Sequence, residues 1–317
     1  MTTFAFVFPG QGSQSVGMLD AWNDHPVVES VLEEASEALG QDLGQLIHEG
    51  PKEDLALTTN TQPVMLVAAV AAYRVWTAEG GATPSFVAGH SLGEYSALVA
   101  SGVLTLAQAV PLVRLRAQAM QDAVAVGAGA MAAILGLPAT LVVDICAQAQ
   151  AQFPADSGEV VQAANFNDPG QTVISGSKQA VDKACELLKA AGAKRTLPLP
   201  VSAPFHCAMM APAAHRLRSH LQDMVLNTPQ IPVINNIDVA QETDPERIRD
   251  ALFRQAFGPV RWVETVQRMQ QLGVSHVVEC GPGKVLAGMV KRISPDLHSH
   301  ALFDPATLAD TFEFLKT

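Results

Sequence analysis

Two places in the chain make the same abrupt change, and together they restrict the fold more than any other feature. Phe4–Phe8 is a short apolar run that stops in the turn PGQGSQ, and Ser85–Ala88 is another that stops in Gly89-His90-Ser91-Leu92-Gly93. Brief apolar runs ending in glycine read as buried strands, and the residues after the second turn, Leu92–Ala100, read as a helix. Strand passing straight into helix is the unit of a mainly parallel sheet covered on both faces.

The alternation extends along the chain. Helices are expected over Pro26–Leu39, stopped by Gly40; over Thr61–Ala78, with Pro63 near the first turn; and over Leu106–Ala123. From about Gly127 the order becomes strand (Met131–Leu137), helix (Ala139–Gln152), strands (Val160–Asn165 and Gln171–Ser175), helix (Lys178–Ala191) and strand (Lys194–Leu199). That is the β-α-β-β-α-β order of a ferredoxin-like unit. Gly127-Ala128-Gly129 and Pro198-Leu199-Pro200 bracket it as hinges. Helices then follow at Met209–Met224, Pro245–Phe257 and near Thr307–Leu315, with strands at Val233–Asn235 and His276–Glu279. The expected fold class is α/β: a parallel-sheet core from residues 1–126 and 200–317, carrying an inserted subdomain at 127–199.

With 317 residues, 48% of them hydrophobic, the chain can bury a sizeable core, and aromatics at 5% leave that core mostly to Ala, Val, Leu and Ile. The longest apolar run, Val64–Tyr73, is halted by Arg74, well short of the ~20 residues of a spanning helix. No membrane segment is expected. The N-terminus lacks the basic stretch and long apolar core of a signal peptide. Cys146, Cys185, Cys207 and Cys280 show no C-x-x-C spacing, which suits a reduced, cytoplasmic protein with buried thiols. The net charge of −11 argues against nucleic acid as main partner. The charge is uneven, −13 over residues 1–177 but +5 over 178–292, so a basic region could steer an anionic partner to one face.

Gly89-His90-Ser91-Leu92-Gly93 fits G-x-S-x-G between a strand and a helix, the context of a nucleophile elbow. The turn exposes the serine hydroxyl, and the helix N-terminus offers backbone N–H groups to a developing oxyanion. A serine nucleophile needs a base. Of nine histidines, His206 stands out because it lies in the loop after the strand at 194–199, and loops at the carboxyl ends of strands are where open α/β sheets place their sites.

Seven motifs then occur in order: VFPGQGSQ at 7–14, GHSLGEYSAL at 89–98, Arg116 with Met120, NFNDPGQTVISG at 165–176, SAPFHCAMM at 202–210, RQAFGPVRW at 254–262 and GPGKVL at 281–286. Together they resemble the malonyl-CoA:acyl carrier protein transacylases of bacterial fatty-acid synthesis, and are similar to the acyltransferase domains of polyketide synthases. The resemblance covers residues 4 to about 292. It implies an α/β-hydrolase-like core with Ser91 as nucleophile and His206 as base, the histidine being oriented by the backbone carbonyl matching Gln255. It implies an oxyanion hole from the backbone N–H groups of Gln11 and Leu92. Arg116 would hold the malonyl carboxylate, with His90, Met120 and Phe205 lining the acyl pocket. Phe205, directly before the histidine, favours malonyl over methylmalonyl. Ala117 departs from the glycine frequent in the family. The resemblance also implies malonyl-CoA and acyl carrier protein as partners, no metal or redox cofactor, and a monomer. The carrier protein is acidic, so Lys194, Arg195, Lys284, Lys291 and Arg292 become candidates for its docking face. A chain without fused synthase domains points to fatty-acid rather than polyketide synthesis. Two rival readings differ in class. A serine hydrolase such as a thioesterase would need an acidic third member, for which Asp168 is best placed. A non-catalytic module would merely bind the carrier protein.

Overall fold

The computed structural model describes residues 2–316. In chain order the strands are β1 Phe4–Phe8, β2 Phe86–Gly89, β3 Gly129–Leu135, β4 Val161–Asp168, β5 Gln171–Ser177, β6 Arg195–Pro198, β7 Val233–Ile234, β8 His276–Cys280 and β9 His298–Leu302. The helices are α1 Pro26–Leu39, α2 Leu43–Glu49, α3 Lys52–Ala56, α4 Thr58–Ala78, α5 Gly93–Ala100, α6 Leu106–Asp122, α7 Ala139–Gln150, α8 Lys178–Ala190, α9 Ala211–Gln222, α10 Pro245–Phe257, α11 Trp262–Gln271, α12 Val285–Ile293 and α13 Pro305–Phe314. The chain divides into two compact units: Met1–Ala117 with Val225–Ile248 and Thr265–Thr317, and Gln118–Met224 with Arg249–Glu264.

The first unit carries a five-stranded sheet in the order β7-β2-β1-β8-β9, parallel throughout. All five residues of β1 are buried, as a central parallel strand requires. Phe4, Phe6 and Phe8 share one face of β1, where Phe6 meets Tyr73 and Trp76 of α4 edge-on at 6.0 and 5.5 Å between ring centroids. Helix α4 begins three residues earlier than its apolar pattern suggests. Strand β9 escaped the sequence reading because His298-Ser299-His300 shows no apolar alternation, and only Ala301 and Leu302 are buried.

The second unit carries an antiparallel four-stranded sheet in the order β4-β5-β3-β6, backed by α7 and α8. Val142, Ile145 and Cys146 of α7 and Ala180, Val181 and Ala184 of α8 close a core against Ala132, Ile134 and Ile174. This is the strand arrangement of a ferredoxin-like unit. The span 127–199 lies inside this unit, which also takes in the end of α6, the segment through α9 and the residues 249–264. Asn165 bridges Val260 in parallel, with Phe166 N–H donating to Val260 O at 3.0 Å and Val260 N–H to Ala164 O at 2.8 Å. These backbone bonds tie the segment after α10 to the edge of the small sheet, a contact between residues far apart in sequence.

Two local features have measurable consequences. In the turn from β2 to α5, a Cβ on Gly89 would come within 1.9 Å of the Gly93 carbonyl, and a Cβ on Gly93 within 2.0 Å of Phe8 O in β1. Helix α5 thus begins in direct contact with two strand backbones, a spacing only glycine permits. Gly93→Ala should cost about 3 kcal/mol or more, read as the shift of the urea midpoint. At the end of β8, the fully buried Glu279 accepts from Ala287 N–H in the first turn of α12 at 2.8 Å. Burial nevertheless raises its pKa from 4.5 to about 7. The folded state thus keeps a proton that the unfolded state has lost, so this group's contribution to stability declines as pH rises from 4.5 through 7. Glu279→Gln should therefore flatten the fall in urea midpoint between pH 5 and pH 7.5; parallel pH profiles for the two proteins would refute this assignment.

Candidate active site

The nucleophile turn lies wholly in the first unit. Ser91 has φ of 53°, a left-handed conformation that costs a non-glycine residue about 1–2 kcal/mol. It persists because its neighbours fix it. His90 N–H donates to Phe8 O at 3.0 Å, and Gly93 N–H and Glu94 N–H return to His90 O and Ser91 O at 2.9 and 3.1 Å. The half-buried Ser91 sits at the mouth of α5, with Leu92 in the N-cap position. Gln11 lies in the turn directly after β1. Both residues proposed from sequence as backbone oxyanion donors are thus in turns that leave the carboxyl ends of adjacent parallel strands.

Arg116 approaches this serine from α6. It is only 2% exposed; its Nη2 donates to Ser91 Oγ at 3.1 Å and its Nη1 to Gln62 Oε1 at 2.7 Å. Its guanidinium also lies over the Tyr95 ring, 5.4 Å from the centroid. Burial lowers the pKa of Arg116, while Tyr95 and the nearby Glu94 oppose that shift; an arginine stays charged under such pressure. The same desolvation pushes the Tyr95 hydroxyl up to about 12. Gln62 continues the network toward Thr58 Oγ1, which donates to Gln11 Oε1 at 2.9 Å. Arg114, two residues earlier, instead bonds Gln41 and Asn60 at 2.6 and 3.2 Å. Met120, one turn beyond Arg116 on α6, is buried, and His90 is half-buried beside Gly10.

His206 belongs to the second unit, where it too holds a positive φ, 62°. It is 4% exposed, and its Nδ1 lies 3.0 Å from Gln255 O and 3.2 Å from Gly258 O. Carbonyl oxygens only accept, so Nδ1 carries the proton and Nε2 is left as the basic nitrogen. The Val260 bridge to β4, two residues beyond Gly258, holds this carbonyl pair in place. Asp168 sits at the end of β4, where its Oδ1 accepts from Gly170 N–H at 2.9 Å, closing the hairpin to β5. Phe205 packs with Leu199 and Val201 on the face of the small sheet formed by Met131, Ala133, Ala164 and Val173. Lys194, Arg195, Lys284, Lys291 and Arg292 are all exposed.

Sequence reasoning missed several members of this constellation. Gln62 and Thr58 are polar residues at the head of an otherwise apolar helix, a signal that could have raised suspicion. Gly258, whose carbonyl joins that of Gln255, falls within RQAFGPVRW but only geometry assigns it. Asn236, which bonds the Ser91 backbone N–H at 2.7 Å, carries no local pattern that marks it.

Residues 5–309 match the acyl transferase domain family. The chain is 52% identical over 314 residues to the malonyl CoA-acyl carrier protein transacylase of Escherichia coli K12, covering 99% of this chain and 100% of that protein. Its fold superposes with a TM-score of 0.95 on the acyl-carrier-protein S-malonyltransferase of Burkholderia pseudomallei 1710b, at 59% identity and full coverage of both chains. It superposes equally well, 0.95 at 49% identity with 99% and 100% coverage, on a malonyl-transacylase solved in complex with a type II polyketide acyl-carrier protein. The chain belongs to the acyl transferase domain family, within the group formed by the malonyl CoA-acyl carrier protein transacylases.

Proposed function

We propose that this protein transfers malonyl from malonyl-CoA to the phosphopantetheine thiol of acyl carrier protein through a malonyl-Ser91 intermediate, in fatty-acid synthesis. The observation that carries the reading is the buried Arg116 guanidinium 3.1 Å from Ser91 Oγ and steadied by Gln62. A fixed cation at the nucleophile suits an acyl group that ends in a carboxylate, because a guanidinium presents donors in carboxylate geometry. The names of the relatives, each a malonyl transferase acting with acyl carrier protein, support the same substrates.

The chemistry runs on protein groups. His206 Nε2 takes the Ser91 proton as the hydroxyl attacks the thioester carbonyl. The oxyanion is met by the Gln11 and Leu92 N–H groups, each such donor being worth about 3 kcal/mol in measured cases. The tetrahedral intermediate collapses, the C–S bond breaks, and His206 returns the proton to the departing coenzyme A thiolate. The carrier protein's thiol then attacks malonyl-Ser91 by the reverse steps, giving ping-pong order. Neither a metal nor a redox cofactor has a step to perform. The thioesterase reading is weaker because backbone carbonyls, Gln255 O and Gly258 O, hold His206 Nδ1, and the Asp168 carboxylate caps its own hairpin. No described helix is long and apolar enough to cross a membrane. The four cysteines are free, which supports a reducing, cytoplasmic location.

Intact-protein mass after mixing with malonyl-CoA should show one malonyl adduct, absent in Ser91→Ala, which moves to holo-acyl carrier protein on addition. An adduct lost to water at one rate with or without carrier protein would replace the transferase by a hydrolase. Arg116→Ala should lose about 2–5 kcal/mol of malonyl transition-state stabilisation, measured as kcat/KM, while acetyl-CoA loses far less. An equal loss for both acyl groups would remove Arg116 as the carboxylate partner.

A further inference from the structure

The ladder between β2 and β7 ends early. Its last pair is Ala88 with Ile234, and β7 then turns away, with Asn235 N–H donating to Ala240 O at 3.0 Å. Strand β2 ends at Gly89 and passes into the nucleophile turn, so the Gly89 carbonyl and the Ser91 N–H lie beyond the last residue of β7 that could offer a partner. The Asn236 side chain meets both. Its Oδ1 accepts from Ser91 N–H at 2.7 Å and its Nδ2 donates to Gly89 O at 2.6 Å. The amide orientation is fixed by its partners, since Ser91 N–H can only donate and Gly89 O can only accept. Asn236 is itself fully buried, and its backbone N–H is held by Glu94 Oε2 at 2.9 Å. Glu94 stands in the first turn of α5, so the clamp grips the elbow on both sides of the serine.

We infer that Asn236 is a positioning residue for the acyl-transfer step, a side-chain extension of the sheet that locks Ser91 in its left-handed conformation. The inference rests on the acyltransferase reading for its substrate but on geometry alone for its mechanism. The torsions of Ser91 set the direction of Oγ and also the plane of the next peptide, which carries the Leu92 N–H. One clamp therefore aims the nucleophile and an oxyanion donor together. Removing it takes the Asn236 amide from the half-buried Ser91 N–H and from the buried Gly89 carbonyl, and frees the strained residue to relax. Misplacement by about 1 Å is enough to cost about 100-fold in rate.

The test uses Asn236→Ala and the near-isosteric Asn236→Asp, which keeps the acceptor for Ser91 N–H and loses the donor to Gly89 O. Two rates are measured per folded molecule by intact mass. One is malonyl adduct formation from malonyl-CoA. The other is phosphonylation by a fluorophosphonate, in which Ser91 Oγ forms the O–P bond, fluoride departs and the serine proton passes through the base to buffer. Affinity for malonyl-CoA is measured by calorimetry in a Ser91→Ala background, with and without the Asn236 change. Positioning predicts that Asn236→Ala lowers both rates about 100-fold and Asn236→Asp about tenfold, while Kd stays within about twofold. Rates per folded molecule that match the wild type overturn the inference, whatever happens to the urea midpoint. A Kd that weakens in proportion to the rates also overturns it, because the pocket as a whole has then been damaged. If the alanine variant does not fold, the aspartate variant decides by the same criteria. Wild-type enzyme that is phosphonylated at Ser91 yet never malonylated would sink the malonyl-transfer reading, and the phosphonylation arm would still decide the role of Asn236.

Discussion

Everything at the nucleophile depends on how closely backbone can approach backbone where β2 turns into α5. Gly93 rests against the Phe8 carbonyl and Gly89 against the Gly93 carbonyl, at separations a methyl group would close. That contact fixes the start of α5 over the sheet and forces the residue between the glycines into the left-handed region. Serine occupies that position at a conformational cost. The cost is offset by hydrogen bonds that only this geometry can make: His90 to β1, Asn236 to both sides of the turn, and the returning N–H groups of the helix. The central strand contributes little chemistry of its own, yet its aromatic face against Tyr73 and Trp76 anchors the carbonyl on which the turn is built.

The histidine is held by a different kind of restraint with a chemical meaning. A carboxylate partner would stabilise the imidazolium by full charge; two carbonyls stabilise it only by dipoles, while fixing the same tautomer and ring plane. On the proposed function, the same fixed ring would serve both halves of a symmetrical reaction, one thiolate leaving and one thiol arriving. The restraint is assembled from residues 49 and 52 positions along the chain, through a parallel bridge at the edge of the small sheet. A polar site built from main chain tolerates wide change in side chains, provided the bridge is kept.

The strand-to-helix alternation made most elements legible, because the buried parallel strands read as apolar runs and the amphipathic helices of the small unit show their period. What stayed hidden has physical reasons. Strand β9 has polar residues on both faces until its last two positions. Helices α11 and α12 are short, ten and nine residues, and begin just after turns built on glycine and proline. Ser91 was legible from its local pattern, and His206 and Arg116 became so once seven motifs were taken together. Asn236 and Gln62 were not. Each acts through one side-chain amide across more than 50 residues, and nothing in the neighbouring sequence encodes a partner at that distance.

Gln62 shows why these hidden amides matter to selectivity. An arginine buried to this degree and left to itself would swing toward whatever acceptor it could find, and a cation that relocates cannot penalise the wrong substrate. The amide oxygen at Nη1 and the Tyr95 ring beneath the guanidinium restrict that movement. The Nη2 donor therefore stays at Ser91 Oγ, 3.1 Å away. On the proposed function, malonyl would meet a preorganised partner, whereas acetyl would leave the charge with its desolvation cost and no ion. On that proposal, discrimination between two acyl groups that differ by one carboxylate would lie less in the arginine than in the neutral residues that prevent it from moving.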